Sequence, residues 1–266
     1  MYPERYDFVL KEGADRFDEV WSFDLRLRDE LDGLARANPS SKGYPKFRFV
    51  SGSLSFIAPG DRNARVAASE RWAAAPASLI CSRKMSMAGH RVRHAVAAAA
   101  TDTAAAATPP PLAGIVDVYG RRDGAAEMPA GDKTPAFTPY KFHVVVENTR
   151  VDALYSEKLV DTFSMGCVPL YLGCSKAALS ALTDFDVEDG IIFLDGDWDG
   201  DGDQDGDDAI LRIAQLHASG ELSDESYDRR RAAIYHNFAV AHNHMRPWEQ
   251  AVRDVLDELA QQAKWN

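Results

Sequence analysis

The stretch YKFHVVVENTRVDALYSEKLVDTFSMGCVPLYLG, from Tyr140 to Gly173, constrains the fold more than any other part of the chain. FHVVV is apolar on both faces, as a strand inside a covered parallel sheet requires, and it stops abruptly at the polar pair Glu147-Asn148. A short loop, TRVDALY, leads to a segment with Leu159 and Phe163 four residues apart, the spacing of a helix with one buried side. VPLYLG then reads as a second apolar strand.

The same alternation runs along most of the chain. ASLICS, GIVDVYG and GIIFLD are strand-like, while GHRVRHAVAAAA, SKAALSAL and DDAILRIAQLHASG are helical. Strands alternating with helices imply a parallel sheet covered on both faces, so a doubly wound α/β domain is expected over 76–266. Residues 1–75 are less regular, with short apolar runs between turn-rich stretches and a helical pattern only around Asp24 to Ala35. They read as an incomplete unit. TDTAAAATPPPLAG, 101–114, predicts a surface loop, and GDWDGDGDQDGDD, 196–208, an Asp/Gly insertion before a helix. Beyond residue 220 the pattern is helical throughout, with Ser223 as an N-cap followed by acids in the first turn.

The formal charge of −11 is a local property. Residues 184–208 hold twelve acids and no Lys or Arg, and setting those aside leaves 29 of the 41 acids against 30 bases. The remaining surface is nearly neutral, which argues against a nucleic-acid binder and leaves room for a local positive pocket. Cys81, Cys167 and Cys174 are too few and wrongly spaced for a disulfide framework or a four-ligand zinc site. No apolar run reaches the roughly 20 residues of a membrane span, and MYPERYDFVLKEG lacks a signal pattern, so the chain as given reads as cytoplasmic.

Ligands of open α/β sheets bind at the carboxyl ends of the strands, which is where Glu147 and Asn148 fall. Lys158, in the first turn of the following helix, disfavours the macrodipole and makes sense there if a phosphate is bound. Each feature has a plain alternative: Glu-Lys on a solvated surface, Asn as a turn residue, Gly166 as a helix C-cap and Pro169 as the start of a strand. The Asp-rich run likewise fits an EF-hand-like loop from Asp197 to Asp208 with Asp in place of the bidentate Glu, but simple repetition generates such frames, and a solvated insertion is expected.

Taken in order, Tyr140-Lys141-Phe142, Glu147-Asn148, Tyr155-Ser156-Glu157-Lys158-Leu159, Gly166, Pro169 and Gly173 resemble the donor-binding domain of the α-1,3-fucosyltransferases, glycosyltransferase family 10. Cys81-Ser82 with Arg91 and Arg93, Val116 to Gly120, and the stretch FDEVWSFD extend the resemblance to about residues 14–240. It implies a GT-B glycosyltransferase, with 76–266 as the Rossmann-like GDP-fucose domain carrying C-terminal helices. Residues 1–75 would be a truncated remnant of the acceptor-side domain and linker.

The implied activity is metal-independent transfer of fucose from GDP-fucose, with inversion, to a GlcNAc or glucose hydroxyl of a glycan acceptor. No cofactor is implied. By the same resemblance Lys158 and Arg91 hold the diphosphate, with Arg93 an alternative to Arg91. Glu157 contacts the fucose ring; Glu147 and Asn148 position the donor, and Tyr155 is counted with the donor-binding residues. The family's general base is a glutamate of the acceptor-side domain, and Glu4 lies at a tolerable distance to be it. Golgi members carry a membrane anchor and stem, so a Golgi location would require an anchor upstream. The alternative expectation is a non-catalytic or partner-dependent GDP-sugar-binding module.

Overall fold

The computed structural model describes residues 19–22, 25–37, 44–49, 71, 73–102, 110–129, 132–150, 154–194 and 203–244. Glu4 lies outside them. Near the N-terminus, β1 (Glu19–Ser22) and β2 (Lys46–Phe49) pair in parallel, and α1 (Leu25–Ala37) lies between them in the chain. The helical pattern around Asp24 to Ala35 is thus observed as α1, the crossover of a βαβ unit.

Five parallel strands form the main sheet: β3 (Ala77–Cys81), β4 (Val116–Gly120), β5 (Phe142–Val146), β6 (Val168–Leu172) and β7 (Ile192–Phe193), in the order β4-β3-β5-β6-β7. Between them run α2 (Ala88–Thr101), α3 (Glu157–Ser164), α4 (Lys176–Leu182) and α5 (Val187–Gly190). After the last strand come α6 (Asp203–Ala218), α7 (Asp224–Arg229) and α8 (Arg231–His244). The expected doubly wound α/β domain is the observed one. No helix among the described residues is long and apolar enough to cross a membrane.

The pleat of β5 separates the two faces. Phe142, Val144 and Val146 join Leu79, Val92 and Val96 in a cluster that α6 closes with Ala209, Ile213 and Leu216. Val145 points the other way, into a cluster with Leu159 and Phe163 of α3, Tyr171, Leu179 and Ala241 of α8. Successive Cβ atoms leave a strand on opposite sides, so an all-apolar FHVVV feeds both layers.

Two expected loops differ from what is found. The acidic run was expected to stay irregular over 196–208, yet α6 starts at Asp203. Aspartates in the opening turns complement the helix dipole, and Gly206 allows close packing, since a Cβ there would lie 2.7 Å from the Ala95 Cβ. Residues 196–202 and the side chains of 203–205 lie outside the description, so the calcium reading falls there. In the stretch 101–114, Leu112 is fully buried in the α2 and α6 cluster rather than on the surface, because that loop returns the chain to the start of β4. Ser223 caps α7 as expected, its side chain accepting from the Ser226 N–H.

Candidate functional site

The strand order fixes where a crevice must open. The chain passes from β3 outward to β4, then crosses back over β3 to β5 and continues away from it. Connections leaving β3 and β5 therefore diverge to opposite faces, which is the topological switch point of such sheets. A cleft of about 360 Å³ lies there. Ser82 and Lys84 after β3, His90 and Arg93 of α2, and Asn148 after β5 form one part of its wall. Glu157, Lys158 and Asp161 of α3 face Lys133 and Phe137 of the β4–β5 connection, with Ile80, His143, Val144 and Val146 completing the lining. That connection contributes a short 3-10 helix, Thr134–Ala136, and the cleft lies between it and α3.

Glu147 is the strut of the arrangement. Its carboxylate is buried, accepting the Ser156 N–H at 2.9 Å on Oε1 and the Ser156 hydroxyl at 2.6 Å on Oε2. Ser156 in turn caps α3, its Oγ accepting the Lys158 N–H. The Lys158 ammonium donates to Ser156 Oγ at 3.0 Å and to Glu157 Oε1 at 3.2 Å, and lies 3.7 Å from Glu147 Oε2. Glycine is demanded on both sides. A Cβ at Gly173 would come within 2.6 Å of Glu147 Cγ, and one at Gly89 within 1.7 Å of the Glu147 carbonyl oxygen.

Burial raises the Glu147 pKa, against Lys158 and the Ser156 hydrogen bonds that lower it. For Glu157, burial also pushes upward, but Lys158, Lys133 and a backbone N–H together outweigh it and hold the carboxyl below its usual range. Glu147 does not line the cleft; its contacts are with Ser156 and with Lys158, which does.

The two candidate arginines separate cleanly. Arg93 is buried, donating to the Val146 carbonyl at 2.6 Å and to Asn148 Oδ1 at 2.7 Å, so it ties α2 to the carboxyl end of β5 while lining the cleft. Arg91, partly exposed on the same helix, is not among the lining residues. Two residues along a helix point about 200° apart, so both could not face the cleft. Tyr155 is placed in the core, packed edge-on against Phe185 with ring centroids 6.1 Å apart, and does not line the cleft either.

Sequence reasoning missed the floor. His143 is buried, and its Nδ1 lies 2.7 Å from Ser78 Oγ, whose hydroxyl donates to the Ala136 carbonyl. Ser78 therefore accepts from Nδ1–H, leaving Nε2 as the acceptor nitrogen. Burial, reinforced by Lys133, lowers its pKa to about 3, so the imidazole is neutral at ordinary pH. Lys133 pairs with the fully buried Asp161 at 2.7 Å.

Asp161 could have been inferred, because it follows Glu157 by four residues and must share its face of α3. No local pattern marks Lys133. His90 accepts the Met87 N–H on Nδ1, and burial, then Arg93, Lys84, Lys158 and His94, lower its pKa. The rim thus concentrates positive charge around a partly apolar floor, an arrangement that stabilises a bound polyanion. Among the described residues no group of three or more His, Cys, Asp or Glu could hold a metal ion.

No family model and no curated protein matches the chain. Among solved structures, an α1,3-fucosyltransferase is similar at 20% identity and a TM-score of 0.36, over 59% of this chain and 36% of that one. The GtfA/B complex is similar at 15% identity and a TM-score of 0.49, over 97% of this chain and 49% of that one. This chain spans less than half the length of either.

Proposed function

We propose that the cleft binds the diphosphate of a nucleotide sugar and that the chain is the donor-binding part of a glycosyltransferase that transfers fucose from GDP-fucose to a glycan hydroxyl. The observation that supports this most is the start of α3, where Ser156, Glu157 and Lys158 of the fucosyltransferase-like motif meet Glu147, Asn148 and Arg93 at the switch point.

In an inverting transfer a base takes the proton of the acceptor hydroxyl, its oxygen attacks the anomeric carbon, and the bond to the diphosphate breaks on the opposite side. Lys158, at the edge of the cleft with helix N–H groups beside it, is suited to the charge that develops on the leaving diphosphate. Glu157, held ionised, is suited to the positive charge that develops on the sugar ring. Glu4 remains the proposed base. No metal is required by these roles.

GDP should raise the melting temperature more than GMP does, with or without divalent metal, because only GDP presents a diphosphate to the cations of the rim. Equal shifts from the two nucleotides would remove the diphosphate assignment. Glu157→Ala should keep GDP affinity and abolish fucose transfer. Binding of GDP-fucose by the wild-type chain without transfer to any N-acetyllactosamine-type acceptor would leave a GDP-sugar-binding module.

A further inference from the structure

Lys158 is the cation that a diphosphate would draw on, yet in the structure its ammonium is held by groups of the protein. It sits 3.0 Å from Ser156 Oγ, 3.2 Å from Glu157 Oε1 and 3.7 Å from Glu147 Oε2. The two carboxylates differ. Glu157 lines the cleft and is about one quarter exposed, whereas the Glu147 side chain is 2% exposed and behind the cleft wall. A carboxylate that keeps contact with water tolerates the loss of its cation. A buried one does not, because the charged form is then uncompensated in a poorly solvated place.

We propose that Glu147 is a positioning residue that holds the Lys158 ammonium at the start of α3 and takes up a proton from solvent when a diphosphate draws that ammonium into the cleft. The step balances simply: one carboxylate and one solvent proton give a carboxylic acid, and Lys158 stays charged throughout. It rests on the nucleotide-sugar reading of the same cleft.

The surroundings leave few other partners for that charge. From α3, Lys158 attracts it and Glu157 repels it. From α2, Arg93 attracts it while remaining committed to the Val146 carbonyl and Asn148. From β6, burial and then the Glu147 charge raise the pKa of the Tyr171 phenol, whose oxygen accepts the Cys174 N–H, so it faces Glu147 as a neutral group. The Ser156 N–H and hydroxyl remain, and a diphosphate bound in the cleft adds negative charge on the Lys158 side. Burial already holds the carboxyl above its ordinary range while Lys158 is nearby. Both changes on binding act in the same direction, upward.

The sign of the linkage follows. A group whose pKa is higher in the bound state than in the free state favours binding when protonated, so affinity rises as pH falls between the two values. The natural competitor is His90, which lines the cleft with a lowered pKa and would also gain a proton near an anion.

The test is calorimetry of GDP-fucose binding to the whole chain between pH 8 and 6, in pairs of buffers with different ionisation enthalpies. GDP-fucose is the probe because a diphosphate esterified at both ends has no secondary phosphate ionisation in this range, unlike GDP. The wild-type protein should take up as much as about one proton per ligand at the acid end, with affinity tightening by up to about tenfold per pH unit. Glu147→Gln, which keeps an acceptor for the Ser156 N–H, should bind with the same enthalpy in every buffer.

Binding by wild type with no buffer dependence overturns the inference and leaves the nucleotide-sugar reading intact. Uptake that persists in Glu147→Gln overturns it too. Should that variant fail to fold, His90→Gln decides, since uptake retained there supports Glu147 and uptake lost there assigns the proton to His90. Failure of the wild-type chain to bind GDP-fucose at all overturns both.

Discussion

The two faces of the main sheet use the same strands for opposite ends. On one face, α2 and α6 close over Leu79, Val92, Val96 and Ile213, all fully buried, and even the helix backbones approach closely at Gly206. On the other, α3 and α8 bury Val145, Leu159 and Phe163, but beside them lie Ser78, His143, Asp161 and, at the strand end, Glu147, all buried and polar. A face sealed by two long helices needs only apolar side chains. The face where a short 3-10 turn takes the place of a helix holds these polar groups beside the cleft, which also reaches His90 and Arg93 of α2 at the carboxyl edge, and each must be partnered to remain there.

The contrast predicts separable consequences for stability and binding. Leu79→Ala, on the sealed face, should cost about 2–5 kcal/mol in chemical denaturation, because it removes a fully buried side chain and leaves a cavity among helices that cannot collapse onto it. Its GDP affinity, measured at a temperature where the variant is folded, should match the wild type. A loss of affinity as large as the loss of stability would mean that the two faces are not independent.

Lys158→Ala should do the reverse. Loss of a charge-assisted contact to phosphate costs about 1.5–3 kcal/mol, or roughly 10- to 150-fold in GDP affinity by titration calorimetry. Where the pH is low enough for Glu147 to take up a proton, stability should change little by comparison, since the cap of α3 is made by Ser156 and not by Lys158. At higher pH the buried Glu147 carboxylate, left without the ammonium 3.7 Å away, should cost stability as well. A variant that keeps wild-type GDP affinity while losing as much stability as Leu79→Ala would break the distinction.

Legibility in the sequence divided along the same line. The sealed face was readable, because periodic apolar residues dictate both strand and helix: FHVVV specified a doubly covered strand, and Leu159 with Phe163 specified the buried side of α3. The strand-end pair and the start of α3 were readable as well, since a polar break after an apolar run marks the carboxyl edge. The floor of the cleft was not. Ser78 and His143 meet only because β3 and β5 pair in register, which depends on residues 65 apart in the chain. Lys133 reaches Asp161 from the β4–β5 connection, where no periodicity indicates a direction. Tyr155 shows the converse: it belongs to the fucosyltransferase-like motif yet serves the core.

His143 gives a pH test of the open face alone. A histidine whose pKa is held near 3 in the folded protein, against about 6.5 when unfolded, contributes stability that is complete above pH 6.5 and is lost as the pH falls toward 3. Its share of the slope should approach about 1.4 kcal/mol per pH unit in denaturant titrations. Glu147 opposes this, because a carboxyl raised by burial gains stability on protonation as the pH falls through its folded value. Comparing His143→Gln with the wild type isolates the histidine, and parallel pH profiles for the two would show that the imidazole is not buried in its neutral form.

The acidic run should give the smallest effect, and the start of α6 sets where that ends. Replacing residues 196–202 with a Gly/Ser linker of equal length leaves α6 whole, so stability and GDP affinity should both stay within about 0.5 kcal/mol of the wild type. Extending the same replacement through Asp208 removes the opening turns of α6, including Gly206 at its close approach to Ala95, and should lower the melting temperature measurably. Calcium should shift the melting temperature of neither the wild type nor the shorter replacement. A calcium-dependent rise in the wild type that vanishes when only 196–202 are replaced would show that the run is a binding loop, and that the sealed face carries a ligand site of its own at the end of α6.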